Sequence, residues 1–202
     1  MGHKSQKRIY FEGAQYFVTF NTQDRIEYFV EPIFCEVFVA CLKLSKIFYK
    51  YNLYAFVVLL EHAHLLFLPH EAKDLSKIMQ YLKRHITRNI NFILGYSTEE
   101  AIGQSPLRLE GEYKEYKDEI EKINQLMKEL KQKFIKKYGK EQNAFPKFQW
   151  QKSFRDHYIR GKNDFDEHVK YIYNNPAKHK IPNLENYKYI FTNYSELITD
   201  FN

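Results

Sequence analysis

The chain has 202 residues, 44% hydrophobic and 17% aromatic, which predicts one globular domain over residues 1–202 that folds without a disulfide framework. The formal net charge of +6 favours a polyanionic partner, either nucleic acid or an anionic membrane surface. No stretch approaches the roughly 20 apolar residues of a membrane span, and residues 1–8 lack the apolar segment of a signal peptide, which predicts a cytoplasmic protein with no membrane partner.

The first half of the chain alternates between strand and helix patterns. Residues 16–20 are aromatic and β-branched and predict a strand, and residues 32–50 carry apolar side chains at helical spacing. Two apolar runs follow, at 54–60 and 62–68, and little more than Glu61 separates them. They predict two strands with a tight or bulged connection, although one long bent strand is also compatible with the pattern.

A second amphipathic helix is predicted from Leu75 to about Leu94, where Gly95 ends it. The stretch at about 97–147 differs in character, because glycines and a proline precede a segment dense in Glu and Lys. An apolar stripe runs through that segment, which predicts a charged amphipathic helix inserted into the domain. The simplest interpretation is a solvated helix with one packed face; a DNA- or partner-binding arm is the alternative.

Two short extended segments, 148–151 and 154–160, precede a last helix. That helix is predicted to begin near Asp164, a plausible N-cap, and to continue to Asn175 before Pro176. Without the insertion and the last helix, the order of elements is strand, helix, strand, strand, helix, strand. The sequence therefore predicts an α+β fold of the ferredoxin-like (RRM-like) type with an antiparallel sheet.

A histidine pair lies in the predicted strand after Glu61. Residues two apart on a strand share a face, so His62 and His64 stand side by side while Ala63 points into a packed layer. Any half-buried strand can carry two histidines on its polar face, and that interpretation stays open. The surrounding apolar runs nevertheless indicate a central strand, where two polar side chains need a reason such as a metal ion. Two ligands do not complete a metal site.

The last predicted helix carries a polar row at i, i+4, i+7 and i+11, formed by Asp164, His168, Tyr171 and Asn175. Tyr171 and Asn175 are neighbours one turn apart, an arrangement that suits phosphoryl transfer. A phenol can attack phosphorus while an amide oxygen helps to hold a cation that polarises the phosphate. Packing of the tyrosine and a simple helix stop at the asparagine are the alternatives.

Three stretches together resemble the single-tyrosine HUH transposases, and the REP-associated tyrosine transposases most of all. They are the strand segment 61–64, the segment 150–160 and the segment 171–179, which is the most specific. The resemblance covers most of the chain, from about Tyr16 to His179. It implies a ferredoxin-like fold whose central strand carries the histidines, with the nucleophile on a C-terminal helix.

On that resemblance, Tyr171 corresponds to the nucleophile and His62, His64 and Asn175 to the ligands of Mg²⁺ or Mn²⁺. Members of the family cleave single-stranded DNA at or near hairpins, form a 5′-phosphotyrosine link and release a 3′-hydroxyl. Such a hard cation would complete its octahedron with phosphate oxygen and water. Tyr173 stays a rival nucleophile. The charged insertion at 97–147 departs from the family pattern. It leaves open which substrate the chain takes and whether the chain forms a homodimer.

A basic surface with exposed aromatic residues would grip single-stranded DNA by neutralising phosphates and stacking on bases. The candidate basic residues are Lys83, Arg84, Arg88, Arg155, Arg160, Lys178 and Lys180. Three functions are compatible with the sequence. The first is a metal-dependent DNA strand transferase, the second a non-catalytic RNA- or structured-DNA-binding module, and the third a phosphodiesterase that uses water.

Overall fold

The computed structural model describes residues 10–100, 116–139, 145–181 and 187–192. The strands are β1 Tyr16–Asn21, β2 Asn52–Val58, β3 His62–Leu68, β4 Arg155–Tyr158 and β5 Ile190–Thr192. The helices are α1 Pro32–Tyr49, α2 Asp74–Ile93, α3 Lys117–Tyr138 and α4 Lys162–Lys178. Their order along the chain confirms the predicted α+β arrangement. None of the helices in these ranges is both long and apolar enough to cross a lipid bilayer.

The five strands form one antiparallel sheet in the order β4-β1-β3-β2-β5. Strands β2 and β3 are separate and joined by a tight connection in which the Leu59 amide donates to the His62 carbonyl at 2.7 Å. The separate strands exclude the single bent strand. The antiparallel sheet and its strand order confirm the ferredoxin-like prediction. Strand β5 was not predicted, because three residues at the sheet edge are too short for a periodic pattern.

Helices cover both faces of the sheet. On one face, the buried side chains of β1 (Tyr16, Val18 and Phe20) form a core with residues of α1 and α2. On the opposite face, Leu66 of β3 forms a smaller core with Val169 and other residues of α4. The alternation of side chains along each strand therefore creates two apolar layers, and α4 rests on the central strands.

Helix α3, the charged insertion, packs against the domain through one apolar face. Met127, Leu130 and Phe134 are buried in the main core, as the apolar stripe predicted. At its C-terminal end, Lys137 donates to the buried carboxylate of Glu31 at 2.7 Å. The helix is thus docked on the body of the protein. Parts of the predicted insertion, residues 101–115 and 140–144, lie outside the described residues.

The last helix begins near the predicted position, but the predicted N-cap and the predicted C-terminal end were wrong. The helix begins at Lys162 after Gly161, so the Asp164 side chain lies in the first turn and accepts from the Arg160 amide at 2.9 Å. It also continues through Pro176 to Lys178. A proline removes one amide donor and crowds the carbonyl four residues earlier, a smaller cost in the last turn of a helix than in its interior.

Candidate active site

The histidine pair lies on the central strand β3, on the face that α4 covers. Both imidazoles are buried, and their ring centroids are 4.8 Å apart at an interplanar angle of 85°. In the sheet register, His64 pairs with Thr19 and His62 with Asn21. The period-two alternation of the strand therefore places the two rings as neighbours, as predicted.

Each imidazole has its Nδ1 atom anchored by a neighbour. Glu61 Oε1 lies 2.9 Å from His62 Nδ1, and Thr19 Oγ1 lies 2.8 Å from His64 Nδ1. These contacts fix the ring orientations through Nδ1. They do not engage Nε2, the other nitrogen of each ring. In the described part of the chain, the buried His64 Nε2 has no hydrogen-bond partner.

Burial also disfavours the protonated form of both histidines. Desolvation, followed by the charges of His62 and His179, lowers the pKa of His64 to about 3. Desolvation likewise lowers the pKa of His62, although the Glu61 carboxylate opposes that shift. Two imidazoles with an oriented Nδ1, one of which (His64) also has a buried, unpartnered Nε2, suit a divalent cation, which needs deprotonated nitrogen ligands.

Helix α4 brings the phenol of Tyr171 to this pair. The Tyr171 and His64 ring centroids are 5.3 Å apart at an angle of 74°. Phe17 of β1 supports both rings, since it stacks on His64 at 5.1 Å and meets the edge of Tyr171 at 5.8 Å. Tyr171 keeps 40% of its surface exposed, so a large substrate can reach the phenol. Tyr173 is more exposed still, at 49%.

Asn175 lies one turn after Tyr171 and is almost fully buried. Its amide nitrogen donates to the Tyr171 carbonyl at 3.2 Å, which leaves the amide oxygen as the atom available to a cation. The ammonium group of Lys178 lies 4.8 Å from the centroid of the Tyr171 ring. The tyrosine is thus bordered by a buried amide and by a positive charge.

His179, the residue directly after α4, contacts the histidine pair. Its ring centroid lies 5.0 Å from that of His62 at an angle of 61°. The backbone amide of His179 donates to the Asn175 carbonyl at 3.0 Å, so the helical path continues to this residue. Sequence reasoning included His179 in a family motif and gave it no role.

A second cluster of metal-ligating groups, formed by His157, Asp164 and His168, lies between β4 and the start of α4. One ligand atom from each residue lies within 4.8 Å of the others. His157 Nε2 is 2.9 Å and His168 Nδ1 is 3.0 Å from the Asp164 carboxylate. This His/Asp group could hold a metal ion. It borders the histidine pair through Phe17, which contacts His168 at 4.5 Å.

The predicted DNA-binding residues fall into two groups. Lys83, Arg84 and Arg88 of α2 line a pocket of about 520 Å³ together with the segment 149–152. That segment also touches the end of β1, because the Gln151 amide donates to the Asn21 carbonyl at 3.0 Å. The second group is exposed and comprises Arg155 on β4, Arg160 between β4 and α4, Lys178 at the end of α4 and Lys180 after it.

Several residues of the site were missed by sequence reasoning. Phe17 and Thr19 reach His64 from the neighbouring strand, and that contact depends on the pairing of β1 with β3. A single sequence shows alternation along a strand but not the register between strands. The role of Glu61 could have been predicted from the sequence, because an acidic residue beside the histidine pair is a common partner for an imidazole Nδ1.

Comparisons with known proteins agree with this architecture. No family model matches the chain. A Haemophilus influenzae protein named as a candidate REP-associated tyrosine transposase is 28% identical over 174 residues, which cover 86% of this chain and 76% of that protein. The resemblance to the REP-associated tyrosine transposases is confirmed. These relatives carry the name of an enzyme that acts as a transposase.

One solved structure supports the same fold. It is described as a REP-associated tyrosine transposase bound to a REP hairpin, and its TM-score with this chain is 0.53. The match covers 93% of this chain and 82% of that chain, at 22% sequence identity. At this identity the likeness concerns the fold, and the roles of individual residues rest on the geometry of the site.

Proposed function

We propose that this chain is a metal-dependent single-stranded DNA endonuclease and strand transferase of the transposase type. In this proposal Tyr171 is the nucleophile, and His62, His64 and Asn175 hold Mg²⁺ or Mn²⁺. The observation that carries it is the contact between the Tyr171 and His64 rings, 5.3 Å apart between centroids. The fold brings together two imidazoles from a strand and a phenol from a helix more than 100 residues later in the chain.

The proposed reaction exchanges one phosphate ester for another. The phenolic oxygen of Tyr171 loses its proton to water and attacks the scissile phosphorus, forming an O–P bond to the 5′-phosphate. The bond from phosphorus to the 3′ oxygen breaks, and that oxygen takes up a proton to become a 3′-hydroxyl. Attack by another 3′-hydroxyl on the phosphotyrosine would reverse these steps and join two strands.

The residues around the phenol support this chemistry. A bound Mg²⁺ or Mn²⁺ would polarise the phosphate and reduce its charge. Asn175 bonds to the backbone of α4 at Tyr171 and so holds its own amide in place beside the nucleophile. The Lys178 ammonium beside the Tyr171 ring places positive charge where a phosphate approaches.

The choice of substrate follows from charge and from the relatives. A net charge of +6 and exposed basic residues around α4 favour a nucleic acid. The solved relative is described as bound to a REP hairpin. We therefore expect a hairpin-bearing single DNA strand to be the substrate of this chain.

The decisive experiment is incubation of the full chain with a labelled hairpin-bearing single strand and Mn²⁺. A covalent adduct between protein and DNA should form and should be lost in Tyr171→Phe. Tyr173→Phe is the matched control, because this nearby phenol projects from another side of α4 and should be dispensable. His62→Ala and His64→Ala should also form no adduct.

Other outcomes would point to other functions. Binding without an adduct in the wild-type chain would indicate the non-catalytic nucleic-acid-binding module. Cleavage without an adduct would indicate a phosphodiesterase that uses water. Adduct formation that survives Tyr171→Phe but not Tyr173→Phe would move the nucleophile to Tyr173.

A further inference from the structure

A tight turn after β1 places an arginine beside the histidine pair. Arg25 Nη1 lies 3.2 Å from Glu61 Oε1, and the same carboxylate oxygen lies 2.9 Å from His62 Nδ1. One oxygen atom therefore links the guanidinium to the imidazole. Arg25 was not among the predicted DNA-binding residues, because it stands between Asp24 and Ile26 and belongs to no basic cluster in the sequence.

The backbone of this turn has an unusual conformation. Asp24 and Arg25 have positive φ values of 53° and 54°, which place both residues in the left-handed region. That region is costly for residues with a Cβ atom and persists where surrounding contacts determine it. Here the Thr22 amide donates to the Glu61 carbonyl at 2.8 Å, and the Thr22 hydroxyl donates to the same carbonyl at 3.0 Å. The turn is thus fixed to the residue whose carboxylate accepts from the guanidinium.

The guanidinium itself is open to solvent. The Arg25 side chain is 59% exposed, whereas the Glu61 side chain is 12% exposed and His62 is buried. Of the described residues, Glu61 alone forms an ion pair with Arg25, and it does so through one nitrogen. A guanidinium carries five N–H donors, so the others can bind another acceptor. An exposed ion pair adds little stability, and stability alone does not explain the strained turn.

The order of residues along β3 places Arg25 relative to the nucleophile. Glu61 directly precedes the strand, His62 is its first residue, and His64 contacts the Tyr171 ring at 5.3 Å. Glu61 and His64 are about 10 Å apart along the strand. Arg25 and Tyr171 therefore border the histidine pair from opposite ends. A single DNA strand with its scissile phosphate at Tyr171 and the histidines would bring a flanking phosphate within reach of Arg25.

We propose that Arg25 binds a backbone phosphate of single-stranded DNA that flanks the scissile phosphate, and that Glu61 holds the guanidinium in place. A guanidinium suits a phosphate because its planar donors can form two parallel hydrogen bonds to the oxygens. The inference rests on the proposed function, since it presupposes that the scissile phosphate lies at the histidine pair and Tyr171. A contact at the end of the pair away from the nucleophile would fix the direction in which the strand crosses the site.

The test is fluorescence anisotropy of the full chain with a hairpin-bearing single strand and Mn²⁺ at several salt concentrations. Tyr171→Phe is the parent chain, because it forms no adduct in the proposed mechanism. Arg25→Met in this parent should weaken binding about tenfold and lower the slope of log affinity against log salt by about 0.7. Arg25→Lys keeps the charge and should keep the slope. Lys73→Met is the matched control, since Lys73 forms an exposed ion pair with Glu71 after β3.

Single methylphosphonate substitutions in the DNA locate the contacted phosphate. Each substitution replaces one charged phosphate oxygen by a methyl group. At one flanking position it should weaken binding to the parent chain about tenfold and have no further effect on the Arg25→Met chain, because the same contact is already lost. Equal losses in both chains at every position would overturn the contact.

The remaining outcomes separate this inference from the function on which it rests. An unchanged salt slope in Arg25→Met, with adduct formation by the wild-type chain, would overturn the role of Arg25 alone. Weaker Mn²⁺ binding in Arg25→Met with an unchanged slope would make Arg25 a positioning residue for His62 and overturn the phosphate contact. Failure of the wild-type chain to bind single-stranded DNA would overturn both.

A second variant separates a lost contact from a damaged turn. Glycine adopts the left-handed backbone of position 25 without strain. Arg25→Gly should therefore lower the salt slope as Arg25→Met does, without lowering the midpoint of thermal unfolding. A salt slope in Arg25→Gly equal to that of the parent chain would show that the guanidinium binds no phosphate.

Discussion

Thr19 and His64 face each other across the β1–β3 pair, with the threonine hydroxyl 2.8 Å from the imidazole Nδ1. If His64 binds a cation through Nε2, as proposed, its Nδ1–H would donate to this hydroxyl and the contact would hold the ring in one orientation. Contacts of this kind set the tautomer and the direction of a metal-binding histidine.

Thr19→Val should therefore weaken Mn²⁺ binding by about 10- to 100-fold, because the isosteric side chain keeps the packing and removes the acceptor. Thr19→Ser, which keeps the hydroxyl, should bind Mn²⁺ almost as the wild type does. Calorimetric titration of both variants measures this difference. Equal affinities for Val and Ser would show that the hydroxyl does not orient the ligand.

Glu31 fixes the charged insertion to the start of α1. Its buried carboxylate accepts from the Ile33 amide at 3.1 Å, from Lys137 at 2.7 Å and from the Tyr138 hydroxyl. Glu31→Ala should lower the free energy of unfolding by about 1–3 kcal/mol, because three donors are left without their acceptor. Urea denaturation measures the change.

The control for this prediction lies on the same inserted helix. Glu121 is 63% exposed and pairs with Lys117 one turn away. Glu121→Ala should change the free energy of unfolding by no more than about 0.5 kcal/mol. If Glu31→Ala were as mild as this control, the insertion would be held by its apolar face alone.

His85 makes the stability of the fold depend on pH. It is buried against Tyr81, and desolvation, then Arg88 and Arg84, lowers the pKa of His85 to about 3 from 6.5. Between these two values the unfolded chain binds more protons than the folded chain, so this contribution to stability is intact above pH 6.5 and is lost as the pH falls toward 3.

His85→Phe keeps an aromatic ring and removes the proton. The slope of unfolding free energy against pH should become shallower between pH 6.5 and 3, by up to about 1.4 kcal/mol per pH unit. Urea denaturation at several pH values measures the slope. His70→Gln, at an exposed position, is the control. An unchanged slope in His85→Phe would show that this histidine is protonated in the folded state.

Much of the fold was predictable because its elements follow strong hydrophobic periodicities. The central strands and the helices α1 and α2 carry apolar residues at their regular spacings, and these elements occur where expected. The features that were missed depend on tertiary context. Strand β5 exists because it pairs with the edge of β2, and α4 passes through Pro176 although proline usually ends a helix.

In the candidate site too, the features that follow a local pattern were predictable and those that depend on tertiary contacts were not. His62 with His64, and Tyr171 with Asn175, were predictable as pairs, since each pair follows the period of a single element. That the two pairs meet depends on the packing of α4 over β3, which no local pattern encodes. Thr19 lies on a neighbouring strand and His179 at the end of a helix. Their contacts with the histidine pair could therefore be identified only from the three-dimensional structure.

The two lysines Lys83 and Lys178 were predicted to bind DNA on equal grounds, but the structure gives them different surroundings. The Lys83 ammonium donates to the carbonyls of Gln151, Lys152 and Ser153, at 2.6, 3.2 and 3.1 Å, and thereby holds the segment before β4. Lys178 is exposed on α4 with its ammonium beside the Tyr171 ring.

Substitution of each lysine by methionine should therefore affect a different property, DNA binding for Lys178 and stability for Lys83. Lys178→Met should weaken binding of single-stranded DNA and lower the slope of log affinity against log salt by about 0.7, the value expected when the protein neutralises one phosphate fewer. Lys83→Met should keep that slope and instead lower the free energy of unfolding by about 1–3 kcal/mol, because three carbonyls are left without their charged donor. Fluorescence anisotropy at several salt concentrations and urea denaturation measure the two quantities. A reduced salt slope in Lys83→Met would show that its ammonium leaves the carbonyls to bind phosphate.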